Sequence, residues 1–83
     1  MTRNVVLISI SKRKNTALKV QEVLTKYGCN IKTRLGLHDS PSDCCADDAL
    51  MFLELVRGQN DDNLNLVKEL EKIENIKVKF VEI

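Results

Sequence analysis

The 83 residues carry 13 basic and 12 acidic side chains, a net charge of +1, and are 43 % hydrophobic but only 4 % aromatic, with no Trp. A chain of this length buries about 60–65 % of its unfolded surface, so one domain spanning 1–83 is expected, with a core of Val, Ile and Leu. The near-neutral charge and the absence of a recognition helix or stacking aromatics exclude a typical nucleic-acid binder. The longest apolar run, Val5 to Ile8, is far shorter than the roughly 20 residues that cross a bilayer, and nothing after Met1 reads as an export signal.

Residues 5–11 form a short β-branched apolar run, the pattern of a strand buried on both faces. A polar turn, Lys12-Arg13-Lys14-Asn15, follows, with Asn15 able to cap a helix. Ala17, Val20, Leu24 and Tyr27 then recur at helical spacing, and Gly28 stands where a left-handed terminator is expected. Residues 31–38 alternate apolar and polar, as in an edge strand with one dry face.

The 39–48 segment holds the single Pro, four Asp and two adjacent Cys, and reads as a loop. Residues 49–57 are nearly all apolar, with Glu54 the interior charge, and read as a second central strand. Gly58 ends it, and Asn60 followed by Asp61 and Asp62 predicts a helix start. Leu66, Val67, Leu70 and Ile73 form that helix's apolar stripe, and residues 76–80 alternate again as a closing edge strand.

The order βαββαβ predicts a ferredoxin-like α+β sandwich, with an antiparallel sheet in the order 4-1-3-2 and both helices on one face. The uncovered face should then present Val5, Leu7, Leu50 and Phe52 within a rim of Lys32, Arg34, His38, Lys77 and Lys79. An apolar patch rimmed by charge points to a protein interface. The chain is therefore expected to pair with itself, as a dimer or tetramer, or with another protein.

Over nearly its whole length the chain resembles the small ACT-like proteins known as iron-only hydrogenase system regulators. The resemblance is carried by the opening Val5-Val6-Leu7-Ile8, by Arg34-Leu35-Gly36, by the apolar residues 50–55 and by Ile76-Lys77-Val78-Lys79. It implies a homo-oligomeric regulatory domain, similar in fold to ligand-binding ACT modules and to the C-terminal domain of nickel-responsive repressors. Two departures stop either ligand from carrying across. Residues 9–27 lack the Gly that amino-acid-binding ACT modules often place after the first strand, and His38 is the sole His, whereas the nickel repressors bring together several.

Charge is unevenly spread. Residues 1–35 hold eight bases against Glu22, and residues 36–63 hold seven acids against Arg57. Lys12, Arg13 and Lys14, beside a helix N-terminus, suit an anionic ligand, with Arg34 a further candidate. Mutual neutralisation of the basic turn by the 39–48 loop is the preferred reading, because the turn has no Gly to let backbone approach a phosphate. Arg34 and Glu54, on neighbouring strands, are expected to pair across them.

His38, Asp39, Cys44 and Cys45 offer transition-metal donors, but adjacent cysteines project apart, and an ordinary exposed loop is preferred to a metal site. Cys29, Cys44 and Cys45 are expected as reduced thiols in a cytoplasmic protein. Catalysis is not expected, because no nucleophile is placed beside His38 and no carboxylates are paired at a fixed spacing. The sequence thus favours a regulatory module with a small-molecule effector whose identity, like that of any cofactor, is unspecified. A metal-binding protein and a ligand-free structural adaptor are the alternatives.

Overall fold

The computed structural model describes residues 2–11, 13–38 and 49–83, without the side chains of Arg13, Lys14 and His38. The elements are β1 (Asn4–Ile10), α1 (Arg13–Lys26), a 3-10 turn (Gly28–Asn30), β2 (Ile31–His38), β3 (Ala49–Leu55), α2 (Asn60–Glu71) and β4 (Ile76–Glu82). The four strands form one antiparallel sheet in the order β2-β3-β1-β4, the expected topology. The two central strands are the ones read as apolar on both sides.

Strand alternation divides the apolar residues of β1 and β3 between two faces. Val6, Ile8 and Ile10 of β1 and Leu53 and Leu55 of β3 point to the helices, where they are buried with Val20 and Leu24 of α1 and Leu66, Val67 and Leu70 of α2. Both helices therefore cover the same side. Ile31, Met51, Ile76, Val78 and Phe80 pack around this cluster from the same face of the sheet.

Several local expectations are corrected. The first helix starts at Arg13, so Asn15 lies within its first turn instead of capping it. Gly28 opens the 3-10 turn and has no positive φ; the left-handed positions are Gly58 (φ 82) and Asn75 (φ 67). At Gly58 the expected break between strand and helix occurs, in a conformation that costs Gly little. Asn60 is the first helical residue and Gln59 occupies the cap without a side-chain hydrogen bond. β3 ends at Leu55, two residues before the expected limit, and β4 continues to Glu82.

A polar clamp joins three elements at one end of the sheet. Asn30, 7 % exposed, donates from Nδ2 to Gln59 Oε1 at 2.7 Å, while Asn63, 1 % exposed, donates to the Val56 carbonyl at 2.9 Å. The Val56 N–H in turn donates to the Asn30 carbonyl at 2.8 Å. Buried amides are stabilising only when paired, so these contacts fix the start of β2 against the end of β3 and the start of α2.

The helices are also joined on their outer side. Tyr27 donates its hydroxyl to Glu69, and Lys26 Nζ lies 3.1 Å from Glu69 Oε1. The Tyr27 hydrogen bond and then Lys26 hold the Glu69 carboxyl below its ordinary pKa, and the same hydrogen bond to Glu69 raises that of Tyr27.

Two outcomes are expected. Asn63→Leu leaves the Val56 carbonyl and the Asn30 amide short of partners, and should lower stability in urea unfolding by about 1–3 kcal/mol; an unchanged midpoint would show the clamp to be dispensable. For the pH dependence, a depressed carboxyl contributes stability above its unfolded pKa and loses it as pH falls through the folded one; Tyr27's raised value acts at the alkaline end, its contribution fading as pH rises through the folded pKa. Melting temperature should therefore fall less steeply between about pH 5 and pH 3 in Glu69→Gln than in the parent chain, and parallel acid limbs would contradict this.

Candidate functional site

The face away from the helices is defined by three cross-strand rows. In the first, Val81, Val5, Glu54 and Thr33 follow one another across β4, β1, β3 and β2. The second contains Lys79, Leu7, Phe52 and Leu35, and the third Lys77, Ser9, Leu50 and Leu37. The apolar members make a diagonal band from Val81 and Val5, through Leu7 and Phe52, to Leu35, Leu50 and Leu37. Leu35 is 54 % and Leu37 46 % exposed, while Val5, Leu7, Leu50, Phe52 and Val81 are half-buried by their neighbours alone.

The band reaches across β2 because that strand is bulged. Ile31 is opposite Leu55 and Thr33 is opposite Glu54, so Lys32 is an extra residue in the ladder. One added residue exchanges the two faces beyond it. Ile31 consequently joins the core, while Leu35 and Leu37 point to the open face.

The same exchange corrects the placement of Arg34. It lies opposite Leu53, on the helix side, where Nη2 donates to Gln21 Oε1 of α1 at 2.7 Å. Arg34 is thus neither on the open-face rim nor paired with Glu54. Glu54 instead has Arg3 Nη1 3.9 Å from Oε2, at the limit of an ion pair; an exposed pair of this kind contributes about 0–1 kcal/mol. Gly36 is also on the helix side, opposite Met51, in open space that would admit a Cβ.

The four residues expected on the open face, Val5, Leu7, Leu50 and Phe52, do share it, and Lys77 and Lys79 border them on β4. Leu35, Leu37 and Val81 complete the band beyond the four expected residues. The Leu35-Gly36-Leu37 alternation was visible, but its face depends on the bulge. Lys12, Cys44 and Cys45 lie outside the described residues, as do the side chains of Arg13, Lys14 and His38. Ile10, His38 and Ala49 are adjacent in the ladders, so the described residues that flank the basic turn and the 39–48 segment lie at one end of the sheet.

At the opposite end are two shallow grooves. One, of about 290 Å³, is lined by Thr2, Asn4, Arg57, Gly58, Asn60 and Glu82. The other, of about 420 Å³, lies along Lys32, Glu54, Leu55, Val56 and Arg57. Cys29 is exposed and unpaired, and among the described residues no three His, Cys, Asp or Glu side chains gather as a metal site. No helix among them is long and apolar enough to cross a membrane.

No protein-family model matches the sequence, and no curated protein matches it significantly. Among solved structures, an uncharacterized protein of Thermotoga maritima superposes with a TM-score of 0.78 at 26 % identity, over 100 % of this chain and 99 % of that one. The ACT domain of the GTP pyrophosphokinase of Chlorobium tepidum gives 0.64 at 13 % identity, over 98 % and 97 % of the two chains. CPII of Thiomonas intermedia, a nitrogen regulatory PII-like protein solved with ADP, AMP and acetate, gives 0.62 at 12 % identity, over 99 % and 86 %. The chain therefore has the ACT-like form of the ferredoxin-like fold.

Proposed function

We propose that the chain is a self-associating regulatory module that senses a small ligand at a subunit boundary and performs no catalysis itself. The observation that carries this reading is the apolar diagonal on the open face. Covering apolar surface is favourable by about 25 cal/mol per Å², and this small core leaves that gain unused on one whole side of its sheet.

The fold supports a regulatory role by likeness. Its solved neighbours include the ACT domain of an enzyme and a PII-like regulatory protein bound to nucleotides and acetate. The sequence resemblance to iron-only hydrogenase system regulators supplies the process in which the module would act. Lys12, Arg13 and Lys14 are the residues proposed to meet an anionic effector, since they stand at the start of α1, where free backbone N–H groups and the helix macrodipole favour an anion. Arg34, held by Gln21 against α1, is not part of that proposal.

Sedimentation equilibrium should show a dimer or larger assembly. Leu35→Glu should shift it toward monomer by roughly tenfold or more in dissociation constant, with helix content unchanged by circular dichroism. A chain that stays monomeric up to about millimolar concentration would overturn self-association. A thermal-shift series with nucleotides, amino acids and divalent metals tests the sensing role, since a ligand that binds the folded state raises its melting temperature. Stoichiometric metal that is lost in His38→Ala would instead favour a metal-binding protein.

A further inference from the structure

The apolar band runs from Val81 on β4 to Leu37 on β2 and separates two polar corners of the open face. Lys77, Lys79 and Ser9 occupy one corner, and Glu54 and Thr33 the other, with Arg3 beside Glu54. Two copies stacked face to face are related by a twofold axis lying between the sheets. Only two directions of that axis place band upon band: along the diagonal or across it.

The charges distinguish them. An axis across the diagonal returns each corner to itself, so Lys77 and Lys79 face the same lysines of the other copy, and Glu54 faces Glu54. Like charges brought together at a water-poor interface are strongly unfavourable. An axis along the diagonal exchanges the corners: lysine no longer faces lysine, and each pair of lysines meets Glu54, which Arg3 approaches only to the 3.9 Å limit of an ion pair.

We propose that a second copy of this chain covers the open face about a twofold axis along the apolar diagonal, with Lys77 and Lys79 of each copy opposite Glu54 of the other. The proposal rests on the self-association reading and specifies its geometry. Strands ~4.8 Å apart and a repeat of ~6.8 Å per two residues set the band at about 45° to the strands. The strands of the two copies then cross at about 90°, one of the two preferred angles for stacked sheets. Lys79, beside Leu7 in the middle row, gains a partner charge where it would otherwise be covered, and its methylene stem adds to the apolar contact.

Charge exchange tests the geometry. Glu54→Lys alone, and Lys77→Glu with Lys79→Glu, should each raise the dimer dissociation constant by roughly tenfold or more. Mixing the two variants should restore a heterodimer close to the parent affinity, since positions 77 and 79 of each copy then again oppose position 54 of the other with opposite sign. In the unmodified chain, a zero-length carbodiimide crosslink should join Glu54 of one copy to Lys77 or Lys79 of the other, identified in a mixture of isotope-labelled and unlabelled chains. This second measurement stands even if a variant fails to fold. A parent dimer whose affinity both variants leave unchanged, or whose mixture gains nothing and whose crosslinks join other residues, overturns the axis while leaving self-association intact. A monomeric parent chain overturns both.

Discussion

Strict alternation along β2 would place Ile31, Thr33, Leu35 and Leu37 on one side of the sheet, under the helices. The extra residue at Lys32 prevents this, and the share of β2 in the open face depends on it. Ile31 stays with the core, and beyond the bulge the two leucines turn outward while Arg34 and Gly36 turn in. Below that inward edge α1 presents Gln21, a hydrogen-bonding partner suited to Arg34 and not to a leucine. The helix layer and the bulge are thus consistent with each other: one supplies polar groups where the other sends a polar side chain. What results is a sheet with apolar surface on both sides and helices on only one.

The bulge is held between two well-defined segments. On its N-terminal side Asn30 exchanges backbone and side-chain hydrogen bonds with Val56, Gln59 and, through the neighbouring Asn63, the start of α2. On its C-terminal side the ladder from Thr33 to His38 is regular against β3. A register slip between them would have to break the clamp or unpair the strand, and buried amides leave little tolerance for the former. The polar core at the end of the sheet and the apolar face outside it are therefore linked, although they share no residue.

The order of elements was readable because its punctuation is local. The β-branched run at Val5 to Ile8, the helical spacing of Val20 and Leu24, and Gly58 each report their own conformation without reference to a partner strand. The faces of β1 followed from alternation, so Val5, Leu7, Leu50 and Phe52 were placed together correctly. The faces of Arg34, Leu35 and Leu37 are not legible in the sequence for a single reason: which face a strand residue takes beyond a bulge is decided by pairing with Glu54 and Leu55, residues some twenty positions away. Helix starts are hard to read for another. Asn15 and Asn60 are good caps in isolation, yet α1 begins at Arg13 and α2 at Asn60 itself, behind Gln59, which makes no side-chain cap hydrogen bond; a cap contributes about 1 kcal/mol, too little to fix a helix start by itself. The burial of Asn30 and Asn63 has no signature in sequence, since Asn is equally common in exposed turns.

An uncovered apolar sheet face is a hazard as well as an opportunity, and β4 shows how assembly can be limited. Its exposed edge carries Lys77 and Lys79 on the open side, and edge lysines discourage strand-by-strand addition of further chains. The outer surfaces of the helices are more polar, although Leu18 and Leu64 are exposed there. Under the proposed twofold, the same patch is used by both copies, so a pair leaves no second open face to recruit a third chain, and growth stops at closure. The lysines would then have two effects: they oppose extension along the sheet and, by their sign, select which way the partner sheet crosses.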